Sequence, residues 1–240
     1  MTRRMTLSGL VAALAIPVLL AACSSGSGGA TALPTIPPST PAASTDASPT
    51  ADPMAHPTYP PGCPTAQPAA LPAGETRTVT ITTDQGDIVI KVEADLSPIA
   101  AGNFVALAEC GYYDNVVFHR IVPEFVIQAG DGSFGRAPNV FPGSVGGGGP
   151  DYTIKDEPVT ADYVRGAVAM AKTEAPDSAS SQFFIVLADL PTLPKSYQVF
   201  GNVTSGMETV DAIAAMPNDG SQMSLAVDPV PMTKVTVANP

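Results

Sequence analysis

The stretch Phe118–Asp131, with the sequence FHRIVPEFVIQAGD, decides how the rest of the chain is arranged. Its apolar residues predict two short β-strands, Val116–Val122 and Phe125–Gln128, separated by a proline. Arg120 and Gln128 would then lie on a half-buried sheet, where a polar side chain is costly unless it finds a partner. That cost indicates that this face of the sheet is a binding site.

The front of the chain has the features of an exported protein. Residues 1–22 begin with two arginines and continue as an apolar run that is short and interrupted by a proline, which predicts a signal peptide rather than a membrane span. The run ends in LAAC, which resembles a bacterial lipobox with Cys23 as the lipidated residue. We therefore expect diacylglycerol and palmitate at Cys23 and an extracytoplasmic location on the cell membrane. The alternative is an ordinary cleavage site followed by an incidental cysteine.

Composition divides the chain into three parts. Residues 1–22 are the predicted signal peptide, and residues 23–75 are a Pro/Ala/Ser/Thr-rich segment without apolar periodicity, which predicts a disordered linker. Residues 76–240 form the predicted folded domain. A domain of this size buries about 70% of the surface of its unfolded chain, so it should fold alone.

Charge and histidine content exclude several kinds of partner. The chain has 11 Lys and Arg against 22 Asp and Glu, a formal net charge of −11. This balance argues against nucleic acid, because phosphate binding needs a basic patch. The only histidines are His56 and His119, and neither has a second ligand at the spacing of a metal site. We expect no metal, no cofactor and a packing role for His119.

The cysteines and glycines leave alternatives open. If Cys23 is lipidated, Cys63 and Cys110 remain as an even pair in an oxidising compartment, either bridged or as two free thiols. A bridge would attach the end of the linker to the domain. The glycine run Gly146–Gly149 suggests a phosphate cradle only weakly, because no Lys-Ser/Thr follows it. A flexible surface loop over Gly132–Pro150 is the favoured interpretation.

The folded body alternates many short strands with two helices. Thr78–Thr83 and Asp87–Glu93 predict a β-hairpin, and Ser97 followed by Pro98 predicts a helix that Ser97 caps. A second short helix is predicted over Met207–Met216. This arrangement is typical of a closed antiparallel barrel.

Four motifs in one order make the body resemble a cyclophilin, a peptidyl-prolyl cis/trans isomerase. They are the opening stretch, GAVAMA at Gly166–Ala171, SQFFI at Ser181–Ile185 and VFGNV at Val199–Val203. The resemblance covers about Thr76–Asn239. It implies a mainly β fold, a closed eight-stranded antiparallel barrel capped by two α-helices. It also implies isomerisation of X–Pro bonds in proline-containing polypeptides, and we expect the protein to be a monomer.

The resemblance also implies which residues act. Arg120 would donate to the amide nitrogen as the X–Pro bond twists, Gln128 would hold Arg120, and Phe125 would complete the catalytic set. The implied substrate-binding residues are Val126, Ala171, Lys172, Phe184, Leu193 and Tyr197. The apolar ones would surround the proline ring, while the backbone at Ala171 and Lys172 would pair with an extended peptide.

Each assignment has a plainer alternative. The apolar residues could be ordinary core and Arg120 a surface cation, and the residues taken singly favour both of these alternatives. The joint match of all positions reverses that preference. The chain also departs from the family pattern at Tyr197, where many members carry histidine. The alternative function is a catalytically weak surface scaffold that binds proline-containing peptides.

Overall fold

The computed structural model describes residues 59–238. The predicted signal peptide, the predicted lipidation site at Cys23 and the linker up to residue 58 lie outside the described residues. Ten strands and two helices follow one another in the order β1 (Thr76–Thr83), β2 (Gly86–Glu93), α1 (Pro98–Glu109), β3 (Arg120–Val122), β4 (Val126–Ala129), β5 (Gly135–Arg136), β6 (Asn139–Val140), β7 (Ala167–Met170), β8 (Phe183–Val186), β9 (Val199–Ser205), α2 (Met207–Ala214) and β10 (Lys234–Ala238). The mainly β composition with two helices is confirmed.

Eight of the strands form one antiparallel sheet, in the order β10-β1-β2-β9-β7-β8-β4-β3. The hairpin predicted from the alternating apolar residues is present as β1 and β2, which pair along their whole length. β5 and β6 form a separate two-stranded ribbon. α1 packs against β1, β2, β9 and β10, whereas α2 packs against β2, β3 and β4.

The sheet is curled but is not the closed barrel that the sequence analysis expected. Its edge strands β3 and β10 do not pair with each other, and the segments that precede them meet through isolated bridges such as Val117 with Pro231. Backbone bonds do cross between these segments, from the N–H of Phe118 to the carbonyl of Val230 at 2.8 Å and from the N–H of Met232 to the carbonyl of Val116 at 2.9 Å. The two edge strands are, however, offset along the seam. The residue that bridges Arg120 of β3 is Leu225, nine residues before β10 begins.

Helix α1 begins at Pro98 as predicted, but the capping group is a different residue. Ser97 occupies the N-cap position without a side-chain capping bond. The Glu157 carboxylate instead accepts from the N–H groups of Ile99 at 2.8 Å and Ala100 at 2.9 Å. A carboxylate there satisfies free N–H groups and interacts favourably with the helix dipole. Glu157 thus joins the start of α1 to a distant loop.

The last part of the predicted linker, from residue 59 on, packs on the domain. Leu71 is buried, and its N–H donates to the carbonyl of Pro98 at 2.9 Å. A disulfide joins Cys63 to Cys110 at the end of α1. We call residues 59–74 the N-terminal strap. Composition alone missed it because its attachments are single residues whose partners lie far along the chain.

His119 lies inside the domain with 2% of its surface exposed. Burial lowers the pKa of its imidazole from 6.5 to about 4, against a smaller raising effect of Asp131. The side chain is therefore neutral at physiological pH. Its position supports the packing role that the sequence analysis expected.

The disulfide should stabilise the folded protein. Cys63 and Cys110 close a loop at a sequence separation of 47, for which the loss of chain entropy in the unfolded state corresponds to about 4 kcal/mol. Urea unfolding of the wild type with reductant should therefore show a free energy of unfolding lower by up to this amount. The double variant Cys63→Ser/Cys110→Ser should have the same free energy of unfolding as the reduced wild type, and reductant should not change it. A wild type equally stable with and without reductant would contradict this.

Stability should also fall as His119 is forced to take up a proton. The imidazole binds a proton near pH 6.5 in the unfolded chain and only near pH 4 in the folded protein. The contribution of neutral His119 to the free energy of unfolding is therefore fully present above pH 6.5 and falls as the pH falls towards 4. The expected loss between pH 7 and pH 5 is about 2 kcal/mol. Urea unfolding of His119→Gln should show a flatter pH dependence over this interval. The same slope in both proteins would refute the assignment to His119.

Candidate active site

Strand register places the two polar residues of the opening stretch in one row with an aromatic residue. Arg120 on β3 pairs with Gln128 on β4, which pairs with Phe184 on β8, which pairs with Ala169 on β7. Directly paired residues of neighbouring strands point to the same face of a sheet. The row therefore carries a guanidinium, an amide and a phenyl ring side by side.

The two faces of these strands belong to two different apolar clusters. The inner face contributes to the main core through Ile121, Ile127, Val168, Phe183 and Ile185. The outer face has a separate cluster that contains all the apolar residues predicted for the site, Phe125, Val126, Ala171, Phe184, Leu193 and Tyr197. The site residues are thus not part of the main core.

The outer cluster has a buried floor and half-buried walls. Val126 is 2% exposed and Phe184 is 5% exposed, so they form the floor. Phe125, Leu193 and Tyr197 are only partly buried. The ring of Tyr197 meets that of Phe184 edge-on, with 5.4 Å between ring centres. Such a surface can accept a compact apolar ring.

The Arg120 guanidinium is fixed by two neutral acceptors. Its Nε donates to the carbonyl of Met223 at 2.9 Å, and Nη1 donates to Gln128 Oε1 at 3.3 Å. Burial lowers the pKa of Arg120 from its usual value, opposed by Tyr197. Because arginine stays protonated in proteins, it presents a full positive charge. Its remaining N–H groups are available to a ligand.

Gln182 is a site residue to which the sequence analysis gave no role. Its Oε1 accepts from Gln128 Nε2 at 3.0 Å. Its Nε2 donates to the carbonyls of Gly146 at 3.0 Å and Gly148 at 2.8 Å. The signal was present in the sequence, because a residue two before Phe184 lies on the same face of the strand.

The stretch Gly132–Pro150 is organised rather than loop-like throughout. It contains β5 and β6, and the fully buried Asp131 carboxylate holds its ends together. The donors to this carboxylate are the backbone N–H groups of Ser133, Phe134, Gly146 and Gly148, at 2.7–3.0 Å. A Cβ at Gly148 would lie 2.5 Å from Asp131 Oδ1, so no side chain fits there. At this position of the run, glycine is therefore required for close packing.

A cavity of about 570 Å³ lies beside Gln128 and Gln182, bounded by the glycine run and by Ala171 and Lys172. Lys172 offers no free ammonium group, since its side chain is 9% exposed and ion-paired with Asp156. The N–H of Ala171 already donates to the carbonyl of Gln182 at 2.9 Å. Within residues 59–238, no three His, Cys, Asp or Glu side chains are grouped to hold a metal ion.

Comparison with known proteins agrees with this geometry. Residues 78–237 match the family model described as cyclophilin type peptidyl-prolyl cis-trans isomerase. A probable peptidyl-prolyl cis-trans isomerase of Brucella abortus is 39% identical over 143 residues, which cover 59% of this chain and 73% of the relative. A peptidyl-prolyl cis-trans isomerase-like 3 of Dictyostelium discoideum is 36% identical over 169 residues, which cover 68% of this chain and 97% of the relative.

Solved structures give the same result. The crystal structure of a Cryptosporidium parvum cyclophilin type isomerase superimposes with a TM-score of 0.59 at 30% identity, covering 69% of this chain and 99% of that one. The same protein crystallised in the presence of the dipeptide Ala-Pro gives a TM-score of 0.58. The match to the family model spans most of the chain and includes the whole row from Arg120 to Ala169. The chain belongs to the cyclophilin family and is a peptidyl-prolyl cis-trans isomerase.

Proposed function

We propose that Arg120 catalyses X–Pro isomerisation by donating a hydrogen bond to the amide nitrogen in the twisted transition state. Rotation about a peptide bond has a barrier of about 18–20 kcal/mol, because conjugation must be lost. As the bond twists, the nitrogen becomes pyramidal and regains a lone pair. A donor that binds this form better than either planar form lowers the barrier without breaking a bond.

The observation that most strongly supports this proposal is that neutral acceptors hold Arg120 beside the outer apolar cluster. The carbonyl of Met223 and the amide of Gln128 orient the guanidinium without neutralising its charge. A preorganised charge next to low-dielectric surface interacts more strongly with a developing lone pair than it would in water. In this proposal, Gln128 also meets a substrate carbonyl.

In this proposal the outer apolar cluster takes the proline ring. Val126 and Phe184 support the ring from below, and Phe125, Leu193 and Tyr197 surround it. The Cryptosporidium relative was crystallised in the presence of Ala-Pro, which agrees with recognition of a proline dipeptide. Because the Ala171 N–H is engaged by Gln182, an extended substrate would pair with the carbonyl of Ala171 and the backbone of Lys172.

The proposed place of action is the extracytoplasmic face of the cell membrane, with a lipid on Cys23 as the anchor. The lipobox-like LAAC sequence supports the anchor. The Cys63–Cys110 disulfide supports an oxidising compartment, since such bonds are rare in the cytosol. Proline-containing segments of newly exported proteins would be the substrates, and the protein would act as a monomer.

Arg120→Ala should lower kcat/KM for an X–Pro peptide about 10²- to 10³-fold, the range for loss of one preorganised donor. Arg120→Lys should recover only part of this, because an ammonium lacks the planar fork. Arg77→Ala is the matched control, since Arg77 lies on β1 and pairs with Glu75. Isomerisation rates equal to wild type in Arg120→Ala would exclude the proposed role. A slow wild type that still binds peptide would favour a binding scaffold.

Cys23→Ala should release the protein from membranes when the full chain is exported by a bacterium. The single variant Cys110→Ser is the control, because it removes a cysteine outside the lipobox-like sequence and should leave the protein in the membrane fraction. Fractionation followed by intact-mass measurement of the mature chain tests both points. A Cys23→Ala protein that still sediments with membranes would refute lipid anchoring at this residue.

A further inference from the structure

The N-terminal strap, residues 59–74, lies outside the part of the chain that matches the family model. It is nevertheless built into the domain. The Ala69 carbonyl passes so close to α1 that a Cβ at Gly102 would lie 2.2 Å from it. Glycine inside a helix costs about 1 kcal/mol relative to alanine. The glycine at position 102 is explained by the strap that crosses it.

Tyr59, at the far end of the strap, contacts the segment Gly146–Gly149, which we call the glycine loop. Its hydroxyl donates to the carbonyl of Gly149 and lies 3.0 Å from Ser133 Oγ. Ser133 Oγ in turn accepts from the N–H of Gly149 at 3.3 Å. The Tyr59 ring packs on that of Tyr112, with 5.3 Å between centres. Burial raises the pKa of the Tyr59 hydroxyl, which therefore remains a donor at physiological pH.

The disulfide keeps Tyr59 near this position. Tyr59 is four residues from Cys63, and each residue spans at most about 3.6 Å. Cys63 is bonded to Cys110 on the domain. A short tether of this kind gives the hydroxyl a high effective concentration at the glycine loop. The contact is therefore supported by a covalent link between the strap and the domain.

The glycine loop determines how two side-chain amides are oriented. The carbonyls of Gly146 and Gly148 accept only, so they select the NH₂ group of Gln182. The oxygen of Gln182 must then face Gln128 and select its NH₂ group. This leaves the oxygen of Gln128 facing Arg120 Nη1. If both amides were reversed, an NH₂ group would face the guanidinium and no bond could form.

We propose that Tyr59 is a positioning residue of the isomerase, which holds the glycine loop so that Gln182 and Gln128 present an acceptor to Arg120. The series runs from Tyr59 to Gly149, through the adjoining residue Gly148 to Gln182, and then through Gln128 to the guanidinium. A segment outside the part of the chain that matches the family model would thus contribute to the active site. This inference rests on the catalytic role proposed for Arg120.

Tyr59→Phe in the full chain removes the hydroxyl and keeps the ring. We expect kcat for an X–Pro peptide, measured by NMR exchange, to fall about 3- to 10-fold, as for loss of one hydrogen bond. KM should change much less, because the outer apolar cluster is untouched. Asp95→Ala is the matched control, since it removes the bond from the Gly74 N–H at the other end of the strap, 2.8 Å long. It should leave both constants at the wild-type values.

A second background separates positioning from a general loss of stability. In a Gln182→Leu chain the connection to Arg120 is already broken, so adding Tyr59→Phe should lower kcat no further. A folded Tyr59→Phe protein with wild-type kcat would overturn the inference, and so would an equal fall in both backgrounds.

The Arg120→Ala variant distinguishes the two proposals. Wild-type activity in that variant refutes the role of Arg120 and this inference with it. Impaired Arg120→Ala together with unimpaired Tyr59→Phe refutes only the inference about Tyr59.

Discussion

Alternation along strands β4, β7 and β8 is the constraint on which the site depends. Successive side chains of a strand point to opposite faces, and here both faces are covered by apolar side chains. Ile127, Phe183 and Ile185 enter the main core, while Val126 and Phe184 enter the outer cluster. A shift of one residue in register would exchange the two sets. The packing of the core therefore fixes which residues lie on the outer face, where we propose that the substrate binds.

The second constraint is the buried carboxylate of Asp131. A charged group without partners is very costly inside a protein, and four backbone N–H groups satisfy this one. Two of them belong to Gly146 and Gly148, so the carboxylate draws the glycine loop back onto the domain. The carbonyls of the same two residues hold Gln182. One carboxylate thus links the structure of the loop to the order of the active site.

Local patterns predicted the local structure well, and distant contacts were the part that sequence could not supply. The β1–β2 hairpin and the start of α1 follow from alternation and from Pro98. The cap from Glu157 could not be inferred, because Ser97 has the right chemistry and the replacement lies 60 residues away along the chain. Barrel closure was wrong because the two edge strands are offset along the seam, where Arg120 of β3 meets Leu225 rather than a residue of β10. In the site, Arg120 and Gln128 were predicted as partners, but the contributions of Met223 and Tyr59 depend on tertiary contacts.

The choice of acceptors around Arg120 has a physical reason. A carboxylate would orient the guanidinium more strongly than an amide, because charge-assisted bonds are about twice as strong. It would also cancel the charge that, in the proposed mechanism, meets the twisting amide nitrogen. A peptide carbonyl and a glutamine oxygen orient the group while leaving its charge intact. Neutral acceptors are weaker, however, so the amide must be kept in one orientation by further contacts. That requirement gives Gln182, the glycine loop and the strap their place in the site.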